Sequence, residues 1–188
     1  RQEKGVLAAR EILIAILKSM GEIWPDGTWV DSIAIGDAAY HEAVKRSDIT
    51  DRIVPFHKLS QWMSYSLIEP LQLAGMKIIH LDALTGLAEY RNGGLFIDTG
   101  TISLRDKTEM ETLHDPKSPL IVEWRALTVT LLDQLAEQIR RHTNTNAESM
   151  PLVSILQGGT WSAGRRIAQR LRSDASPPLR LKSRGTIF

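Results

Sequence analysis

The segment that follows Ser118 constrains the fold more than any other part of the sequence. Ser118 and Pro119 form a favourable helix start, because Ser caps free backbone N–H groups and Pro needs no N–H at the first helical position. Apolar residues then recur at spacings of three and four: Trp124, Leu127, Leu131, Leu135 and Ile139. This spacing predicts a long amphipathic helix with one face on the core.

Three other segments are predicted to be helical. Residues 6–20 contain no helix breaker and end before Gly21, which predicts a mostly buried helix with a glycine C-cap. Residues 54–74 predict a second helix, because apolar side chains recur on one face. That face contains Leu59, Trp62, Met63, Ser66 and Leu67. Residues 151–172 predict a helix, a Gly-Gly-Thr-Trp turn and a second, basic helix.

The remaining segments complete a mainly α fold class with minor β. Residues 31–51 are polar and mixed, which predicts a loop with a short helix. The end of the chain alternates around Ser183-Arg184-Gly185, which predicts a short C-terminal hairpin. We expect residues 1–188 to form a single helical domain, because this length fits one domain with a sizeable core. The start lacks Met and a signal peptide, from which we expect a fragment of a longer cytoplasmic protein.

The composition excludes several classes of function. The chain has no cysteine, which excludes disulfides, thiolate catalysis and cysteine-ligated metal sites. Its net charge of +1 gives no general electrostatic reason to bind nucleic acid or a membrane surface. The five histidines are scattered along the sequence, so we expect neither a metal nor a cofactor. No apolar run reaches the roughly 18 residues that a membrane-spanning helix needs.

Residues 81–102 contain the strongest candidate for a functional site. Glu89, Tyr90 and Arg91 are consecutive, and Asp98 follows in an otherwise apolar run. Charges among apolar residues must be solvated, paired or functional, because burying an isolated charge is costly. A salt-bridged structural turn is the plain alternative. The segment predicts a tight turn into a short helix, with a strand over residues 95–97 as the competing interpretation.

Two other segments supply further candidates. His57 lies at the opening turn of the second predicted helix, where it is a functional residue, a cap or a surface residue. Glu123 and Arg125 flank Trp124 in the first turn of the long helix, where free N–H groups could hold a buried carboxylate. A solvated charge pair is the alternative for these two residues.

Three long blocks resemble the C-terminal half of the uracil-catabolism protein 4 family, which is known from fungi and bacteria. They are VPFHKLSQWMSYSLIEPLQLAG at 54–75, LTGLAEYRNGGLFIDTG at 84–100 and LQGGTWSAGRRIA at 156–168. Members of that family are longer, so the resemblance implies a missing N-terminal half as a partner. The family belongs to a pathway that degrades uracil through its nucleotide and a ribosylated urea.

A second, weaker resemblance is to the queuosine salvage proteins. It lies in the order of a turn, acid-Tyr-Arg, an apolar segment and Glu-x-Arg-Ala at a helix start. Those proteins are nucleoside-monophosphate N-glycosidases with a helical fold akin to DNA glycosylases, and their acid-Tyr-Arg segment carries a catalytic Asp. The matching position here is Glu89, which is one methylene longer. The resemblance implies a DNA-glycosylase-like helix–hairpin–helix arrangement, although Thr85 and Ala88 replace the Pro and Gly of that hairpin.

These observations predict an enzyme that hydrolyses an N-ribosidic bond of a small nucleotide-like substrate, either a ribosylurea phosphate or a pyrimidine nucleotide. Cleavage builds positive charge on the sugar, which carboxylates stabilise while a water is activated. Glu89 is the expected general base or cation stabiliser, and Asp98 or Glu123 would bind ribose hydroxyls. Arg91 would orient Glu89 or pair with Asp98.

The candidates to bind the substrate lie around these carboxylates. A 5′-phosphate would be held by Lys58, by Arg125 or by the Gly158-Gly159-Thr160 turn, whose N–H groups can bind an anion at a helix start. The full set of binding candidates is His57, Lys58, Gln61, Trp62, Tyr90, Arg91, Arg125, Gly159, Thr160 and Trp161. For the three aromatic residues in this set, a role in the core is the alternative.

Two alternatives from other classes remain open. The first is a non-catalytic binding or scaffold subunit of the uracil-degradation pathway, which would be favoured if the three carboxylates proved scattered or fully paired. The second is a DNA-binding helix–hairpin–helix module. Its support is a basic helix face with Arg165, Arg166, Arg170 and Arg172, which a solvated face explains equally well.

Overall fold

The structure, a computed structural model, describes residues 5–24 and 27–182. The α-helices in this part of the chain are α1 (Ala9–Met20), α2 (Lys58–Leu73), α3 (Tyr90–Asp98), α4 (Pro119–Thr143), α5 (Leu152–Ile155) and α6 (Trp161–Leu171). The strands are β1 (Gly5–Ala8), β2 (Thr28–Val30), β3 (Ile33–Gly36), β4 (Ala38–Tyr40), β5 (Ile53–Pro55), β6 (Met76–Ile79), β7 (Leu113–His114) and β8 (Arg180–Leu181).

The strands pair in four separate two-stranded sheets within the described residues. β1 is parallel to β6 and β7 to β8, whereas the β2–β3 and β4–β5 pairs are antiparallel. The prediction of a mainly α fold class is therefore wrong. Strands of two to four residues are too short to show an alternating pattern, and β1 and β6 pair across a long stretch of intervening chain. The hairpin predicted around residues 183–185 lies outside the described residues.

The helix–hairpin–helix form of the fold prediction is also wrong. That arrangement requires a helix on each side of the hairpin, whereas β6 and a 3₁₀ turn, Leu81–Ala83, precede residues 84–89. Helix α3 does confirm the predicted turn into a short helix, and it excludes a strand over residues 95–97.

The N-terminal third contains more strand and less helix than predicted. Residues 6–8 belong to β1, so α1 begins only at Ala9. Residues 31–51 contain β3 and β4 and no described helix. The core beside α1 is apolar: Ala9, Ile12 and Ile16 pack against Ile68 of α2 and against Leu84.

Helix α2 buries a different face from the one predicted. Its buried residues are Lys58, Ser60, Gln61, Ser64 and Ile68. Trp62 is 56% exposed, and Leu67 is also on the surface. Buried polar groups require hydrogen-bonding partners. Ser64 donates to the Ser60 carbonyl within α2, whereas the Lys58 N–H and Gln61 bond to Asp37 and Thr85, which lie on other segments and are not visible in the local pattern.

Helix α4 confirms the predicted start at Pro119, with Ser118 as the N-cap residue, although the Ser118 side chain makes no capping hydrogen bond. Trp124 is buried as expected, whereas Leu127 is 47% exposed. The helix buries Ile121, Val122, Trp124, Arg125, Thr128, Leu132 and Ala136. A fully buried arginine therefore lies inside the apolar face.

The Gly-Gly-Thr-Trp turn predicted between the last two helices is wrong. Leu156–Thr160 is a π-helical turn that joins α5 to α6 without a break. Helix α6 then packs tightly on α3, because a Cβ on Gly164 would lie 2.2 Å from the Arg91 carbonyl oxygen. This close approach brings Trp161, at the start of α6, next to Arg91.

Candidate functional site

A buried ion pair between Asp37 and Arg125 lies at the centre of the polar interior. Arg125 Nη1 and Nη2 donate to the two Asp37 carboxylate oxygens at 2.9 and 2.7 Å. The guanidinium also stacks on the Phe56 ring, 4.0 Å from its centroid. The Arg125 side chain is 0% exposed and that of Asp37 7%. Such a bidentate pair fixes both side chains, because their planar groups match.

Asp37 also organises the start of helix α2. Its carboxylate accepts a hydrogen bond from the Lys58 backbone N–H at 2.9 Å. Its carbonyl accepts from the N–H groups of Phe56 and His57 at 3.0 and 2.9 Å. His57 has a φ of 50°, an uncommon value for a non-glycine residue. These hydrogen bonds hold His57 in that conformation and fix the direction in which Lys58 leaves the backbone.

Asp37 was not among the residues predicted from the sequence, because the surrounding segment was interpreted as a polar loop. The signal was nevertheless present, since Asp37 follows Ile33–Gly36 and precedes Ala38–Tyr40, both largely apolar. A carboxylate in such a run must be paired or functional when it is buried. The criterion that singled out Glu89 would have found Asp37 as well.

Glu89 is a buried N-cap residue of α3. Its Oε1 accepts a hydrogen bond from the Asn92 N–H at 2.8 Å, and its Oε2 lies 3.5 Å from Arg91 Nη1. Only 7% of the residue is exposed. Burial raises the pKa of the Glu89 carboxyl, although the Asn92 and Arg91 N–H groups and the charges of Arg91 and Lys58 act in the opposite direction. A buried carboxyl with a raised pKa is a common feature of catalytic sites.

Lys58 is the cationic group that accompanies Glu89. The residue is 7% exposed, and burial, together with the nearby Arg125 charge, lowers the pKa of its ammonium to about 8. Asp37 and Glu89 oppose this decrease in the pKa of Lys58. Lys58 and Glu89 therefore interact electrostatically in a largely dry environment, where interactions between charges are strong.

Arg91 forms the solvent-facing side of the site. Its guanidinium lies 4.5 Å from the centroid of the Tyr90 ring and 4.9 Å from that of Trp161. The Arg91 side chain is 30% exposed, and Trp161 is 42% exposed. Thr160 is buried and donates to Asn92 Oδ1 at 2.9 Å. The π-helical turn therefore packs against α3 through Thr160, and the start of α6 does so through Trp161.

Two of the three predicted catalytic carboxylates lie elsewhere. Asp98 is paired through both oxygens with Arg172, at 2.8 and 2.6 Å, rather than with Arg91. Glu123 is on the surface, 3.2 Å from His41 Nε2. Successive residues of a helix point in different directions, so Glu123 faces solvent while Trp124 and Arg125 are buried. The structure does not bring these carboxylates to Glu89.

Several predicted binding residues also have other roles. Arg125 directs both terminal nitrogens to Asp37, so it does not present them to a phosphate. Gln61 Oε1 accepts from the Thr85 N–H at 3.2 Å, which connects α2 to the loop before α3. Gly159 lies within a continuous helical turn, whose N–H groups are used inside the helix rather than offered to an anion. Trp62 is exposed and does not wall an enclosed site.

A cavity of about 270 Å³ lies apart from this charged cluster. Its lining includes Tyr65, Leu84, Thr85, Asp133 and Leu152. It includes no member of the charged cluster, which consists of Asp37, Lys58, Glu89, Arg91 and Arg125. The acidic residues that line it are exposed, and one of them, Glu137, is paired with Arg140 at 2.6 Å. The charged cluster is the better candidate, because burying charge is unfavourable unless the fold or the function requires it.

The described residues contain no group of three or more His, Asp and Glu that could hold a metal ion. In the same part of the chain, no helix is both long and apolar enough to cross a membrane.

Fold and site together define a protein of helices and small two-stranded sheets. Its interior contains a site of paired charges in which the pKa values of Lys58 and Glu89 are shifted. The chain belongs to the family described as protein of unknown function (DUF1688), whose profile matches residues 1–188. It is 43% identical over 169 residues to Protein urg3 of Schizosaccharomyces pombe, which covers 88% of this chain and 41% of that protein. It is 36% identical over 206 aligned positions to Uracil catabolism protein 4 of Lachancea kluyveri, which covers 97% of this chain and 46% of that protein.

These relatives confirm the resemblance to the uracil-catabolism protein 4 family that the three sequence blocks indicated. The chain spans less than half the length of either relative. No solved structure matches it.

Proposed function

We propose that this chain carries the Glu89 site of a uracil-catabolism enzyme that hydrolyses an N-ribosidic bond in a small nucleotide-like substrate. The pathway is supported by the name of one relative, Uracil catabolism protein 4. The chemistry is supported above all by Glu89, a buried N-cap carboxyl with a raised pKa beside two cations.

Glu89 would act as the general base that activates water, or would stabilise the positive charge that develops on the ribose. Both roles need the ionised carboxylate close to the anomeric carbon. Arg91 would orient the carboxylate through the 3.5 Å contact, and its exposed edge would meet an anionic part of the substrate. The ring of Trp161 would offer an apolar wall at the mouth of the site.

A non-catalytic binding or scaffold subunit of the same pathway is the second candidate. The observation that favours it is the separation of the three carboxylates, because Asp98 is paired with Arg172 and Glu123 is exposed. A hydrolase with Glu89 as its one functional carboxylate in this chain would need its other groups from Lys58, from Arg91 or from the remainder of a longer protein.

A ligand-dependent melting scan of the intact protein tests the proposal. The ligands are uracil, uridine, uridine monophosphate, ribosylurea and ribosylurea 5′-phosphate, with Glu89→Gln as the matched variant. A ligand that binds the native state raises the melting temperature by mass action. We expect one ribosylated compound to stabilise both proteins, and wild type alone to release uracil or urea from it.

The other outcomes separate the two candidates. Stabilisation without release of uracil or urea by the wild type would favour the binding subunit. If no compound shifts the melting temperature, the small-nucleotide site is rejected in both forms.

A further inference from the structure

Lys58 and Glu89 lie at the starts of two helices whose preceding residues pack together, since Phe56 and Ala88 belong to the same buried apolar cluster. Lys58 is the first residue of α2, and Glu89 is the N-cap of α3. Both residues are 7% exposed, and the charge of each acts on the other. A cation and a carboxylate have thus been withdrawn from water together and brought within electrostatic reach of one another.

The position of Lys58 is fixed from its backbone side. Asp37 accepts the Lys58 N–H, and Arg125 fixes Asp37 through two hydrogen bonds. The adjacent His57 adopts the left-handed conformation, and its buried Nδ1 has no hydrogen-bond partner among the described residues. Uncommon backbone conformations held by several hydrogen bonds are concentrated at functional sites.

We infer that Lys58 is the proton donor to the leaving group in the proposed hydrolysis, and that Asp37 is the residue that positions it. This inference rests on the proposed function. It differs from the sequence-based expectation, in which Lys58 holds a phosphate as a permanent charge.

The proton transfers balance without a further reactant. Glu89 takes a proton from water as the water oxygen bonds to the anomeric carbon. The carbon–nitrogen bond breaks, its electron pair goes to nitrogen, and the Lys58 ammonium gives that nitrogen a proton. The products are the sugar with a hydroxyl group on its anomeric carbon and the leaving group with a proton on its nitrogen. The protonated Glu89 then returns its proton to the Lys58 amine, which restores both groups.

The surroundings of Lys58 suit this role. The charges that act on the pKa of Lys58 are those of Asp37 at the β3–β4 corner, of Arg125 on α4, and of Glu89 and Arg91 at the start of α3. Burial and the two arginines weaken the hold of Lys58 on its proton, which lowers its pKa to about 8. A general acid works best when its pKa lies near the operating pH.

Lys58→Arg separates a proton donor from an anion holder. Arginine keeps the positive charge and binds anions, but it does not lose its proton at any pH near neutrality. The test compares ribosylurea 5′-phosphate and uridine 5′-monophosphate with 4-nitrophenyl ribofuranoside 5-phosphate, whose phenolate leaves without protonation. Lys18→Arg, on an exposed face of α1, is the matched control.

We expect Lys58→Arg to slow release of urea or uracil by about 10²-fold or more, in line with general acid catalysis. Cleavage of the nitrophenyl compound should change little, and Lys18→Arg should match wild type on all three compounds. Equal activity of Lys58→Arg and wild type, or equal loss on all three compounds, overturns the role of Lys58. Cleavage of none of them by wild type overturns the proposed function as well.

The effect of the Asp37 charge on Lys58 has its own readout. Asp37→Asn removes the charge but keeps an oxygen that can accept the Lys58 N–H. In spectra of protein labelled at the lysine side-chain carbons, we expect Lys58 to titrate near pH 8 in wild type and at a different pH in Asp37→Asn. Loss of nucleotide cleavage should accompany that change. An unaltered Lys58 titration in a folded Asp37→Asn protein overturns the assignment to Asp37.

Discussion

At the scale of single residues, the Asp37–Arg125 pair decides whether the interior is stable. Removing one member of a buried ion pair typically costs about 3–5 kcal/mol, because the other charge stays buried without it. We expect Asp37→Leu to lower the free energy of unfolding by this amount in a denaturant titration. The double variant Asp37→Leu with Arg125→Met should recover much of the loss. Equal destabilisation of the single and double variants would contradict this explanation.

Lys58 should behave oppositely, because its charge is unfavourable in the folded state. The pKa of Lys58 is about 8 when folded and 10.5 in the unfolded reference. Below pH 8 Lys58 is protonated in both states, and the folded state bears the full penalty. As the pH rises from 8 to 10.5, the unfolded chain binds more protons, so stability increases.

We therefore expect Lys58→Met to raise the free energy of unfolding near pH 7, by at most about 3 kcal/mol for a difference of this size in pKa. The variant should also lose the increase in stability between pH 8 and 10.5 that wild type shows. Denaturant titrations at a series of pH values measure both effects. A less stable Lys58→Met protein at pH 7 would show that the ammonium stabilises the fold instead. Gain of stability with loss of activity is typical of a functional site.

At the scale of elements, the contact between α3 and α6 determines how Arg91 and Trp161 meet. A Cβ on Gly164 would overlap the Arg91 carbonyl, which is backbone and unable to move alone. Overpacking of this kind costs about 1–3 kcal/mol and sometimes more. We expect Gly164→Ala to lower the melting temperature and to change the fluorescence of Trp161.

Gly158→Ala is the matched control for this contact, because a Cβ there meets nothing within 4 Å. Alanine is favoured over glycine in a helical turn by about 1 kcal/mol, so this variant should be neutral or slightly stabilising. Similar destabilisation by both substitutions would mean that the helix running from α5 into α6 is sensitive to an added methyl group whether or not that group meets α3.

The same elements show which features could be predicted from the sequence. The start of α4 depends on a local signal, Ser-Pro, and was predicted. The turn into α3 was also predicted, but the N-cap role of Glu89 was not. The inward face of α2 depends on Asp37 and Thr85, which are distant in sequence, so its apolar residues misled the periodicity argument. Leu156–Thr160 was interpreted as containing a turn, because paired glycines disfavour a continuous helix.

At the scale of the whole molecule, the site combines segments that no local pattern connects. Glu89 was found because its charge stands in an apolar run, whereas its partner Lys58 was assigned to phosphate binding and Asp37 was missed. The strand pairs explain part of this difficulty, since β4 and β5 together bring Asp37 to the start of α2. Such long-range pairing is determined by tertiary packing, which a single sequence does not display.

The charge distribution of the whole chain leads to a last prediction, that the protein does not bind DNA strongly. The net charge is +1. Arg172, which was predicted to lie on the basic helix face, is paired with Asp98 instead. The exposed members of that face that remain are Arg165, Arg166 and Arg170. We expect weak duplex binding in fluorescence anisotropy, unchanged when all three are replaced by glutamine. A protein that neutralises several phosphates loses affinity steeply with salt. Tight binding with such a slope, lost in the triple variant, would contradict the prediction and identify that face as a DNA-binding surface.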